Sequence, residues 1–182
     1  GLGGGINGCC SSPDGTSNAT LINVSVINNQ AISTASFPSV SAISCVNGPV
    51  IINSIVSGNE SQGGQYSVAI SSTFGGEISF TNLYNNGPSL IYEDESWGEW
   101  VGLNVTTNAN GDSCDVYYNI QEDPEFVDID NNNYHLQSWS QLIGAGTITD
   151  NMPDTDMDGN PRPNPEGANP DIGAYENPYG VP

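Results

Sequence analysis

Three stretches of the chain repeat one order of apolar and polar positions: Leu21-Ile22-Asn23-Val24-Ser25-Val26-Ile27-Asn28-Asn29, Ile51-Ile52-Asn53-Ser54-Ile55-Val56-Ser57-Gly58-Asn59 and Ile78-Ser79-Phe80-Thr81-Asn82-Leu83-Tyr84-Asn85-Asn86. They begin 30 and then 27 positions apart. Each opens on an apolar residue, places a second one (Val26, Val56, Leu83) five positions on, and closes on Asn. A repeat this short predicts coils stacked along one axis, each burying its apolar positions against the next. Ala42-Ile43-Ser44-Cys45 and Val68-Ala69-Ile70-Ser71 supply a further strand per coil, and turns are expected at Asp14-Gly15, Asn47-Gly48-Pro49, Gly63-Gly64 and Gly75-Gly76. With strands spaced about 4.8 Å apart, four coils rise only roughly 15–20 Å.

The pattern breaks over residues 91–112, where Glu93-Asp94-Glu95-Ser96-Trp97-Gly98-Glu99-Trp100 reads as an inserted acidic and aromatic loop. It returns at Asp115-Val116-Tyr117-Tyr118-Asn119-Ile120 and is replaced from Asp123 onward by a Pro-, Asp- and Asn-rich tail. We therefore divide the chain into coils over 1–122 and a C-terminal capping segment over 123–182. No 3.6-residue apolar period is sustained anywhere, and 22 Gly, 12 Pro and 23 Asn leave little room for helix. The expected class is all-β.

The tail also carries five ordered segments: Asp123-Pro124-Glu125-Phe126-Val127-Asp128, Tyr134-His135-Leu136, Leu142-Ile143-Gly144-Ala145-Gly146, Asp156-Met157-Asp158-Gly159-Asn160-Pro161-Arg162-Pro163 and Asp171-Ile172-Gly173-Ala174-Tyr175-Glu176. With the repeats before them, they make the chain resemble right-handed parallel β-helix proteins that end in a choice-of-anchor Q type domain, found in secreted bacterial and archaeal surface proteins. The resemblance implies an extracellular β-helix whose last coil is closed by this tail. It implies no particular reaction, because such proteins share architecture rather than chemistry.

Charge narrows the partners. The formal charge is −20, with 21 Asp plus Glu against Arg162 alone and no Lys, so nucleic acid and anionic membranes are excluded as expected partners. Divalent cations become attractive, because a bound ion offsets self-repulsion. The sharpest motif is Asp154-Thr155-Asp156-Met157-Asp158-Gly159-Asn160: alternate carboxylates on a turning loop can converge on Ca²⁺, with Asp154, Asp156, Asp158 and the carbonyl of Asn160 as ligands. Pro165 stands where an EF-hand would carry its bidentate Glu. Asp128, Asp130 and Asn132 form a weaker echo of the same spacing, and the alternative for both runs is an Asx-rich turn.

Enzyme chemistry is not expected. A uronate lyase needs cations that this chain lacks, and a hydrolase needs two facing carboxylates, for which Glu93, Asp94, Glu95, Glu99 and Asp115 are the available acids. His135, the chain's one His, is read as structural or surface-exposed. Trp97, Trp100 and Tyr92 are candidates for a glycan-binding platform, with burial at a coil end or subunit contact as the alternative.

Sequons occur at Asn18, Asn23, Asn59 and Asn104. Asn29, Asn59 and Asn86 align between coils and can stack inward, which ranks Asn18 and Asn104 above Asn23 and Asn59 for glycosylation. Overlaying the repeats brings Cys45 beside Cys9 or Cys10, a disulfide suited to an oxidising compartment, with buried thiols as the alternative. The opening Gly1–Ile6 already reads as repeat, so the first coil is expected to be covered by preceding chain or by another subunit. The function expected is a non-enzymatic extracellular structural or adhesive rod that joins end to end into a filament or forms part of a longer rod, with a carbohydrate-binding or carbohydrate-processing module as the alternative.

Overall fold

The structure is a computed structural model and describes residues 6–9, 19–33, 39–45, 47–63, 67–72, 75–87 and 101–180. The first strands are β1 (Ile6–Cys9), β2 (Thr20–Ile22), β3 (Ser25–Ile27), β4 (Gln30–Ser33), β5 (Ser39–Cys45), β6 (Val50–Ile52), β7 (Ile55–Ser57), β8 (Glu60–Gly63), β9 (Ser67–Ser72), β10 (Glu77–Ser79) and β11 (Asn82–Tyr84). They pair only in parallel, as the sheets β1-β5-β9, β2-β6-β10, β3-β7-β11 and β4-β8. Each sheet collects one strand from each successive repeat. The protein is all-β, and the sole helical element among the described residues is a 3-10 turn at Ile129–Asn131. No helix among those residues is long and apolar enough to cross a membrane.

The register is the one the spacing predicts. Leu21, Ile51 and Ile78 are direct neighbours, as are Val26, Val56 and Leu83. Because side chains alternate across a strand, these central residues all turn inward, where they meet Ile43 and Ile70 in one buried cluster. Burying each such side chain contributes about 1.5–3 kcal/mol. The strands are short because each is ended by a left-handed residue: Asn23, Asn53 and Phe80 at one corner, and Asn28, Gly58 and Asn85 at the next. Asn and Gly adopt this backbone most readily. At Gly58 there is a further reason, since an added Cβ would lie 2.2 Å from Asn28 Oδ1.

Polar atoms at the corners are satisfied by repetition. Asn29 Nδ2 donates to Asn59 Oδ1 (3.0 Å) and Asn59 Nδ2 to Asn86 Oδ1 (2.9 Å), while Asn86 Nδ2 returns to the Val56 carbonyl (2.6 Å). A second ladder runs through uncharged side chains of changing identity. The amide of Val24 donates to Ser54 Oγ, that of Ser54 to Thr81 Oγ1 and that of Thr81 to Asn119 Oδ1. Asn119 belongs to a fourth layer, marked by the parallel bridge between Asn82 and Ile120.

Of the expected insertion at 91–112, residues 91–100 lie outside the described part. Its end folds back as β12 (Thr106–Thr107) against β13 (Ser113–Cys114). In the tail, β14 (Phe126–Asp128) pairs antiparallel with β15 (Asn133–Leu136). The tail was expected to close the last coil, but it reaches further. It lies along the outer flank of β3-β7-β11 back to the first repeat, where the Ala174 amide donates to Ser25 Oγ and Asn23 Nδ2 to the Asp171 carbonyl. The reason is the strand period. Ile55 precedes the inward Val56 and so faces out, joining Ile120, Leu136, Leu142 and Ile172 in a second core.

Candidate functional site

The contact between flank and tail is where the unusual chemistry of the chain gathers. Arg162, the one Lys or Arg present, is buried, and its Nη1 lies 2.7 Å from Glu176 Oε1. Nη1 also donates to the Gly173 carbonyl. Glu176 accepts the amides of Asn164 and Asp171. Asp171 in turn accepts those of Gly144 (2.7 Å) and Asn177 (2.6 Å), so one carboxylate ties three tail segments together. Burial, and then the charge of Glu176, push Asp171 up to about 7. Burial likewise raises Glu176, with Arg162 opposing it. Burial lowers Arg162 against the pull of Glu176, Asp156 and Asp171.

The Asp154–Asn160 run closes on itself. Asp156 Oδ1 accepts the amides of Asp158 and Asn160, while Oδ2 accepts Asn160 Nδ2 and the amide of Glu176. Burial pushes the Asp156 carboxyl up, but these donors outweigh it and hold the group below its ordinary value of 3.8. The carbonyl of Asn160, expected as a ligand, accepts the Asp156 amide instead. Asp154 is exposed, and Asp158 Oδ2 meets His135 Nε2 at 2.7 Å. The residues as placed therefore do not fit Ca²⁺, because the central carboxylate already has four N–H donors and its neighbours turn elsewhere. In the weaker run, Asp128 caps the 3-10 turn through Asn131, and Asn132 Oδ1 accepts from the Tyr134 hydroxyl. Asp130 is exposed. Among the described residues, no three His, Cys, Asp or Glu converge as a metal site requires.

Other candidates separate cleanly. Asn59 is fully buried, with Nδ2 shared among Val26 O, Ser57 O and Asn86 Oδ1. Asn23 is buried with Nδ2 on Asp171 O and Gly173 O. Neither sequon is open to a glycan in the folded chain, whereas Asn104 is exposed. Asn18, Cys10, Tyr92, Trp97 and Trp100 lie outside the described residues, as do Glu93, Asp94, Glu95 and Glu99. The backbones of Cys9 and Cys45 are register partners in adjacent strands. Asp115 is buried, accepting the amides of Gly102, Tyr117 and Asn119. It is a turn-holding acid.

One feature escaped the sequence reading. At the corner where the first two repeats place Asn23 and Asn53, the third and fourth layers place Phe80 (φ 47°) and Tyr118 (φ 64°). Their rings stack with centroids 4.9 Å apart and planes 16° from parallel. They form one wall of an open cleft of about 440 Å³, whose opposite side is Gly144–Gly146 of the tail. Register arithmetic held the signal, since Phe80 follows Asn53 by 27 positions, the length of that repeat. No family model matches the chain, and neither a curated protein nor a solved structure matches it.

Proposed function

We propose that the chain is a non-enzymatic extracellular structural or adhesive module. In this reading the parallel sheets are the faces of a short right-handed β-helix, and the tail is an anchor-type domain that braces its flank. The observation that carries it is the use made of the acids. Asp115, Asp156, Asp171 and Glu176 each accept backbone amides that hold a turn or a docked segment. Such carboxylates serve rigidity and do not face a substrate in pairs. The strong negative charge and the exposed Asn104 sequon fit an extracellular setting.

End-to-end assembly follows from the sheet edges. Among the described residues, β2, β3 and β4 are the outer strands of their sheets, and an outer strand offers a row of backbone groups to a further strand. Two copies joined this way make a heterologous contact that repeats into a filament. Electron microscopy of the purified protein over a range of concentrations tests this. Filaments or linear oligomers are expected, and monodisperse short particles at every concentration would sink the assembly reading. Release of reducing ends or unsaturated sugars from polysaccharides would overturn the non-enzymatic part. The second reading, a carbohydrate-binding module, is favoured by the Phe80–Tyr118 cleft.

A further inference from the structure

We infer that the cleft between the Phe80–Tyr118 pair and Gly144–Gly146 is a binding site for a neutral saccharide. The inference deepens the adhesive reading but is independent of filament assembly.

The first observation is a substitution pattern inside the repeat. At this corner the left-handed backbone suits Asn and is an outlier for a bulky ring. In the first two repeats Asn is present and its amide works. Asn53 Oδ1 accepts the Thr147 amide (2.9 Å) and its Nδ2 donates to the Thr147 carbonyl (2.7 Å), while Asn23 Nδ2 reaches Asp171 and Gly173. In the next two layers both clasps are given up for aromatic rings in the same unfavourable backbone. Two successive outliers that replace a working clasp point to a role for the ring surfaces.

The second observation is what happens to the tail there. Beside Asn53 it is packed to contact: a Cβ on Gly146 would lie 2.7 Å from the Pro170 carbonyl and 3.0 Å from Asn53 Oδ1. Two residues earlier, at Gly144, the nearest atom to such a Cβ is the Asn169 carbonyl at 3.9 Å. The tail is docked tightly where Asn holds it and stands away where the rings begin. The space between is the cleft.

The lining selects the ligand class. Tyr118 is 41% exposed and offers ring surface, and the rim carries the exposed side chains of Thr107 and Asn169. A pyranose has the matching halves, an apolar C–H face for an aromatic ring and hydroxyls for amides and hydroxyls. An anionic sugar is disfavoured: the chain bears −20, and Arg162, its one Lys or Arg, is buried against Glu176.

The test uses Phe80→Asn and Tyr118→Asn, which restore the residue that the first two repeats carry at this corner. A glycan array printed with neutral and acidic oligosaccharides is followed by calorimetric titration of the neutral glycan that binds best. Both variants are expected to keep or raise the melting temperature and to lose about tenfold or more in affinity, the effect of removing one well-packed ring. Trp139→Ala, at an exposed aromatic elsewhere on the tail, is expected to bind as the unaltered protein does. Three results would overturn the site: no neutral glycan bound, binding lost with Trp97→Ala but kept with Tyr118→Asn, or Asn variants that melt lower and bind equally. Loss of filaments with glycan binding intact would count against the assembly reading alone.

Discussion

The coil stack and the tail that lies on its flank solve the same problem, buried polar backbone, by opposite means. The stack repeats uncharged side chains. Asn29, Asn59 and Asn86 form one ladder, and Ser54, Thr81 and Asn119 form another, so every rung has a neighbour of matching geometry. The tail has no repeat to lean on and uses charge: Asp156, Asp171 and Glu176 each accept two or more N–H groups, with Arg162 as the buried counter-ion. A carboxylate can gather several donors from unrelated segments, which a lone amide side chain cannot do as strongly. The cost is desolvated charge, with three acids gathered around one guanidinium.

Breaking the tail's counter-ion should separate the regions most sharply. Arg162→Met leaves Glu176 buried without its partner and is expected to cost about 3–5 kcal/mol. Hydrogen exchange should speed up at the amides of Gly144, Asp171 and Gly173 while those of β6 and β7 keep their protection; equal loss in both would show that stack and tail fold as one unit.

Asn59→Ala strikes the stack instead. It orphans the Asn29 side-chain donor, the Val26 carbonyl and Asn86 Oδ1 together, and about 1–3 kcal/mol is expected from the buried groups left unpaired. The change should show in the denaturation midpoint at any pH between 4 and 8, because no ionised group is involved.

pH sharpens the contrast from the other side. Asp171 is raised from 3.8 to about 7, so the folded chain holds its proton more tightly than the unfolded one. Its contribution is fully present below about pH 3.8 and is lost as pH rises through 7. Glu176 is shifted in the same direction. Asp156, held below 3.8, contributes above that value and loses its contribution as pH falls through its folded pKa. Urea midpoints should therefore decline from about pH 4 to pH 8, and Asp171→Asn should flatten that decline. A midpoint that rises over this range would contradict the assignment.

The smallest expected effect concerns the acidic loop. Chelation with EDTA should leave the melting temperature unchanged, while Asp156→Ala lowers it through four lost acceptor contacts. A fall in melting temperature on chelation, reversed by added Ca²⁺, would restore the metal reading.

The parts of the molecule that were legible in the sequence are those that repeat. Leu21, Ile51 and Ile78 could be aligned before any fold was known, because neighbours in a coil stack recur at fixed spacing, and the inward turn of Asn59 followed from that alignment. The Asp154–Asn160 run was misleading for the opposite reason. Its spacing is that of a cation loop, but one of the donors that saturates Asp156 is the amide of Glu176, twenty positions away. Phe80 and Tyr118 were passed over because aromatic residues in a repeat read as core, and their left-handed backbone is invisible in composition.

Sequence alone determined the all-β class, the parallel register and the inner core, since period and polarity are local properties that stacking multiplies. Only the tertiary structure decided that the tail lies on the flank, that Arg162 answers Glu176 inside it, and that a cleft opens where Asn gives way to aromatic rings. Those outcomes depend on single contacts between segments more than a hundred residues apart, such as Asn23 with Asp171, and no periodicity encodes a contact that occurs once.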